Sequence, residues 1–176
     1  MTTLSTAGWV VHDVGLATAI GGSLFGKAAL EPALDEISSP KERDRVSADA
    51  WRRYSWVQLA SHVAFAAPWF IGRSLRSGRE VSARAGTLTR AKDIMMGVSL
   101  VTGVACHFLG RKLGKNIDRG EGPADGQKES RVLERVVATL GSINTLTNVG
   151  ILGTTAVLAM EGTKSVKGAK SAKKLP

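Results

Sequence analysis

Four stretches of this chain carry no charged side chain, residues 14–26, 54–72, 94–110 and 136–160, and each is fringed by tryptophan or basic residues. A bilayer core about 30 Å thick takes about 20 residues of helix at about 1.5 Å per residue. The second and fourth stretches, 19 and 25 residues long, supply that length, and the first and third, with 13 and 17, are read as spans from their flanks. The first extends back through Trp9, Val10 and Val11, with His12 and Asp13 near an interface or facing the bundle. It extends forward over Ala28, Ala29 and Leu30 if Lys27 turns outward on its aliphatic stem. All four tryptophans, Trp9, Trp51, Trp56 and Trp69, fall at or near predicted helix ends, the headgroup level at which an amphipathic ring is most stable. A soluble helical bundle would bury some of them in mid-helix.

The expected fold is therefore all-α, an integral membrane four-helix bundle over residues 1–162, followed by a basic tail at 163–176. A mean hydropathy of +0.01 is low for such a protein, and a polar first loop and a lysine-rich tail account for it by dilution. The single cysteine, Cys106, lies inside the third stretch and excludes an intramolecular disulfide framework. The N-terminus has no basic region and no small-residue cleavage site soon after the first apolar stretch, so that stretch is expected to be an uncleaved anchor in the cell membrane.

Orientation is nearly undetermined by the sequence. Four spans put both termini on the same side as the loop of residues 73–92. That side holds eleven lysines and arginines against thirteen in the two opposite loops, which leaves the positive-inside count undecided. The nearly pure basic character of the middle loop and tail favours cytoplasmic termini. The first loop contains Ser39-Pro40-Lys41-Glu42, a serine cap, a proline at the first helical position and a glutamate three residues after the cap. A helix is expected to start there and run without a break into the second span. The third loop, with Gly120, Gly122, Pro123 and Gly126 among many charges, reads as mobile chain or chain ordered by a partner. The tail lysines Lys164, Lys167, Lys170, Lys173 and Lys174 either form a solvated tail without fixed structure, the favoured reading, or attract anionic lipid, each by about 1 kcal/mol. No aromatic residue follows Phe108, so the net charge of +9 comes without a base-stacking platform and nucleic acid is not an expected partner.

Small residues recur at Gly15, Ala19, Gly22 and Gly26 in the first span and at Ser99, Gly103, Cys106 and Gly110 in the third, spaced four, three and four. That spacing keeps each set on one helix face, where a neighbour can approach closely. In lipid, helices gain no hydrophobic energy by meeting, so such seams and interhelical hydrogen bonds hold them together. Polar residues in the spans are costly and so are the best pointers to function. His62 in the second span and Asn144 and Asn148 in the fourth lie at similar depth, and Thr18 and Thr102 fall near mid-depth in the other two helices. One cluster of all five is geometrically allowed, either as hydrogen-bond glue or as a ligand, ion or proton site.

Other chemistry is disfavoured. His12, His62 and His107 sit at unequal depths, His62 and His107 differing by about 7 Å along the helix axis, whereas two axial haem ligands need equal depth. No metal-ligand spacing, phosphate-cradling loop or catalytic triad context occurs. The expectation is a non-enzymatic protein without a cofactor or metal.

Val11-His12 with Gly15-Leu16 and Gly21-Gly22, the segment Trp51-Arg52-Arg53-Tyr54, and Leu146 with Asn148 resemble a group of small four-helix bacterial membrane proteins whose eukaryotic relatives are the transmembrane protein 205 group. The chain departs from that pattern at Gly141-Ser142, where the group places a histidine, and in its long charged third loop. The resemblance implies a four-span fold rather than an activity. The leading functional expectation is an accessory or scaffold subunit of a larger membrane assembly, partnered by lipid, by other membrane subunits or by further copies of itself. The rival is a small-solute or ion transport or efflux protein using the polar cluster, and a b-type cytochrome is the third and least favoured.

Overall fold

The computed structural model describes the backbone of residues 3–74 and 83–172, with side chains over 6–72 and 85–160. Every element among the described residues is helical. Helix α1 covers Thr3–Phe25, passes without interruption into a π-helical segment at Gly26–Leu30, and leads to the short α2 at Glu31–Asp35. Helix α3 covers Pro40–Ser74, α4 covers Ala83–Asp118, and α5 covers Lys128–Ala172, with a 3-10 turn at Pro123–Asp125 before it. α3 begins where the serine–proline cap places it: the Ser39 carbonyl accepts from the Arg43 amide at 3.0 Å, and the Ser39 hydroxyl faces the Glu42 amide at 3.4 Å. It then runs as one helix through Pro68.

The four long helices form a closed ring in which α1 and α4 each pack against both α3 and α5. Glycine sets the α1–α3 spacing. A β-carbon at Gly15 would lie 2.9 Å from Ala64, from the Phe65 amide and from the Ser61 carbonyl, and one at Gly22 would overlap the Tyr54 phenol. One at Gly26 would overlap the Trp51 ring. Ala19, between them, has no exposed surface.

The interior is more polar than the surface. The apolar core is a single layer, Leu16, Ala19, Phe65, Ala66, Met96 and Ile151. Among the described residues eleven polar or charged side chains are buried against eight apolar ones, while Val63, Val101, Leu146, Ile94 and Phe108 are each at least 60% exposed. A chain that folded by hiding apolar area from water would show the opposite arrangement. The helices over Ala85–Asp118 and Lys128–Met160 are long and apolar enough to cross a membrane by length and composition, two of the four expected.

The third loop is not the mobile chain its composition suggests. α4 extends to Asp118 and α5 starts at Lys128, so only a short connection remains, and it is braced from a distant part of the sequence. Lys41 pairs with Asp125 at 2.5 Å, the Ala124 amide donates to Asp44 at 3.0 Å, and the Ser130 hydroxyl donates to the Glu121 carbonyl at 2.6 Å. Gly120 and Gly126 take positive φ, of 74° and 85°, which turns the chain sharply between these anchors. Together with Arg52–Asp118 at 3.2 Å and Lys112–Glu129 at 2.8 Å, these contacts tie the ends of α3, α4 and α5 into one polar head. The tail backbone continues α5 to Ala172; the side chains of Lys164, Lys167 and Lys170, and Lys173 and Lys174 entirely, lie outside the described residues.

Candidate functional site

Below the polar head a cavity of about 410 Å³ enters the bundle. Its outer wall carries Lys27, Arg52 and Arg111 with Glu31, Asp44 and Glu134; further in come Trp51, Tyr54, Cys106 and His107; Gln58 and Asn144 form its floor. From Glu134 to Asn144 is ten residues of one helix, so the cavity is about 15 Å deep. Two polar atoms in its wall residues, Gln58 Oε1 and His107 Nδ1, are buried without a hydrogen-bond partner among the described residues. The His107 ring is fixed edge-on to Trp56 with centroids 4.9 Å apart, so the imidazole is held in place although Nδ1 is unpaired. Lys27, expected to turn outward, donates instead to Ser142 on α5 at 3.0 Å, where it borders the cavity.

Asn144 of the floor belongs to a directed chain of hydrogen bonds behind it. Ser99 donates to Asn148 Oδ1 at 2.6 Å, Asn148 Nδ2 to Asn144 Oδ1 at 3.1 Å, and Asn144 Nδ2 to His62 Nε2 at 3.1 Å. The Asn144 amide also reaches the Ser99 carbonyl at 2.7 Å and the Thr102 hydroxyl oxygen at 2.9 Å. His62 Nδ1 lies 2.7 Å from the Gln58 carbonyl, which only accepts. Nδ1 therefore carries the proton and Nε2 accepts from Asn144, a neutral imidazole in one tautomer. The network joins α3, α4 and α5.

Four of the five expected cluster members, His62, Asn144, Asn148 and Thr102, meet here. Thr18 does not: its hydroxyl donates to Val14 of its own helix at 2.8 Å, and its carbonyl accepts from Tyr54 at 2.9 Å, one step to the side. The third-span set divides similarly. Ser99 is in the network, Gly103 lies under His62, and the Cys106 thiol faces the Val137 carbonyl at 3.8 Å, whereas nothing lies within 4 Å of a β-carbon at Gly110.

A second polar centre lies across the apolar layer. Lys92, placed by its sequence in the middle loop, is 0% exposed. Its ammonium donates to the Thr155 hydroxyl at 2.6 Å and to His12 Nε2 at 3.1 Å, and stands 3.8 Å from the centroid of the Trp69 ring. His12 is likewise buried, facing the bundle as one of its two expected placements had it, and directs Nδ1 at the Phe65 carbonyl at 2.5 Å. The Trp69 indole N–H donates to Asp93 at 2.8 Å. Phe65, fully buried, separates the two centres: its ring centroid is 5.2 Å from that of His62 and 6.3 Å from that of His12.

No protein-family model, curated protein or solved structure matches the chain. Its function is read from these two centres alone.

The residues that the sequence did not single out were nevertheless in phase with those that it did. Lys92, Met96, Ser99 and Gly103 are spaced four, three and four, so Lys92 continues the α4 inner face by two turns. On α1, His12, Gly15, Ala19 and Gly22 are spaced three, four and three, so His12 continues that face by one turn. The misleading signal for Lys92 was its neighbourhood, with Arg90 and Asp93 beside it in a basic segment.

Proposed function

We propose that this chain is a multi-pass membrane protein that takes a small polar solute from the aqueous phase at its polar head into the bundle, a transport or efflux activity. The observation that carries the reading is the cavity that enters between charged helix ends and stops on Gln58 and Asn144, the second of which bonds to His62 and Asn148 behind it. The outward apolar side chains and the polar interior support placement in lipid, where buried polar and charged groups are expensive and mark pathways. The outer wall has three cations and three anions, which favours a solute of low net charge over an ion of either sign. The unpaired Gln58 Oε1 and His107 Nδ1 supply an acceptor and a proton-adaptable group for it.

Cys106, the chain's one cysteine, lines the cavity and serves as its probe. In intact membranes a charged, membrane-impermeant thiol reagent modifies Cys106 from the side of the polar head, and from that side only. A thiol that reacts only after denaturation would end the reading.

An accessory subunit remains the second reading, favoured by Gly21, Gly97 and Gly153, which are exposed and have nothing within 4 Å of a β-carbon. Such outward notches suit a neighbouring helix. Stoichiometric companions co-purified in mild detergent would decide for it.

A further inference from the structure

We propose that His12 and Lys92 form a proton-binding centre, separated from the solute cavity by the apolar layer around Phe65, whose occupancy controls that layer. The proton-binding part stands on geometry alone; the control of the layer rests on the transport reading above.

The centre is shaped for an ammonium. A protonated Lys92 has three N–H donors, and three acceptors surround Nζ: Thr155 Oγ1, His12 Nε2 and the face of Trp69. Thr155 Oγ1 is free to accept because its own hydrogen goes to the Ile151 carbonyl at 2.7 Å. A neutral amine has only two hydrogens, and its lone pair would face one of these acceptors. His12 is constrained in turn: its Nδ1–H is taken by the Phe65 carbonyl, so Nε2 is the lone pair that Lys92 needs. A proton added to Nε2 would set two cations 3.1 Å apart. The pair therefore holds one positive charge on two bases: a second proton, on His12 Nε2, breaks the Lys92–His12 bond, and loss of the ammonium proton leaves one of the three acceptors without a donor.

The surroundings tune this charge without neutralising it by direct contact. From α1 come His12 and Asp13, and from α4 itself Asp93; both carboxylates attract the Lys92 charge. α3 presents Trp69 and the Phe65 carbonyl, and α5 presents Thr155. Among the described residues no carboxylate reaches Lys92 within ion-pair distance, so the cation rests on dipoles and an aromatic face.

The link to the cavity is one residue long. Phe65 gives its carbonyl to His12, and its ring lies against His62, which accepts from Asn144 of the cavity floor. A cationic His12 repelled by Lys92 has to shift its ring, and the Phe65 carbonyl that accepts its Nδ1–H shifts with it. From Asn148 to Thr155 is seven residues of α5, so the proton centre lies about 10 Å beyond the network, towards the opposite end of the bundle from the cavity mouth.

The test uses the full chain in detergent with Trp51→Phe and Trp56→Phe, which leaves Trp9 and Trp69, both facing Lys92, as the emitters. Tryptophan emission is followed from about pH 5 to about pH 11, a range that spans the ordinary values of free histidine and lysine. We expect an alkaline step that is lost in Lys92→Met and an acid step that is lost in His12→Gln. Flat emission, or steps that survive both changes, would overturn the proton site. A second measurement does not depend on the variants folding: ¹⁵N-lysine spectra of the unsubstituted chain should show one slowly exchanging ammonium, and its absence also counts against the site. Control of the layer is read at one fixed pH from Cys106 labelling, expected to change several-fold in Lys92→Met; an unchanged rate overturns that part. Cys106 that resists labelling in the unsubstituted protein while the emission steps persist would sink the solute cavity and spare the proton centre.

Discussion

A β-carbon on Gly103 would stand 2.6 Å from Nε2 of His62, the atom that accepts the Asn144 hydrogen bond. Gly103→Ala should therefore push the imidazole off Asn144. The expected loss is about 1–3 kcal/mol, as for overpacking elsewhere. Gly110→Ala, seven residues along the same helix with nothing within 4 Å, should be silent. Thermal unfolding of both variants in the same detergent checks the pair.

Replacement of Asn148 by alanine leaves Ser99 without its acceptor and Asn144 Oδ1 without its main donor. A loss of about 1–3 kcal/mol is expected from the unsatisfied buried groups. Thr18→Ala should cost less than about 0.5 kcal/mol, because its hydroxyl only bonds its own helix. Equal effects of the two substitutions would mean that the network is not the interior's organising element.

The third loop should loosen in acid. The Lys41 ammonium, followed by the Gly122 amide, holds the Asp125 carboxyl below its ordinary pKa. A group whose folded pKa is depressed contributes stability that is complete above its unfolded value, near pH 4, and is lost as pH falls through the folded one. Amide exchange over residues 119–127 should accelerate as pH drops below about 4, after correction for intrinsic rates, and Asp125→Asn should show the fast behaviour at every pH.

Ser39→Ala tests the start of α3. The Ser39 hydroxyl lies 3.4 Å from the Glu42 amide and is exposed, so the cost should fall at the low end for a helix cap, about 0.5 kcal/mol. Faster exchange confined to the first turn is the expected signature; unfolding of the whole polar head would show that the cap holds more than its own turn.

Local chemistry was readable from the sequence where it acts locally. The Ser39-Pro40 start of α3 depends on four adjacent residues, and the uncharged stretches mark the helices because the backbone must satisfy itself wherever they lie. His62, Asn144 and Asn148 were found because equal depth in parallel helices follows from counting residues. The braces of the third loop were not, since Lys41 and Asp44 reach it from about 80 residues away and no neighbouring residue announces them. Thr18 was misplaced because depth fixes height and leaves rotation about the helix axis free. Lys92 and His12 needed that rotation too, and it was present in the spacing of the small residues, one or two turns further along than the pattern was followed.

An interior wired by amides and imidazoles beneath an aliphatic coat inverts the usual pattern of mutational tolerance. With the bundle in lipid as proposed, leucine, valine and isoleucine should replace one another freely on the outside, at positions such as Val63, Val101 and Leu146, because lipid does not distinguish among them. Inside, Asn148→Leu keeps the branching and the number of heavy atoms, yet it cuts a chain of donors and acceptors. Over evolutionary time such a lineage should drift fastest in its greasy letters and slowest in His12, His62, Lys92, Asn144 and Asn148.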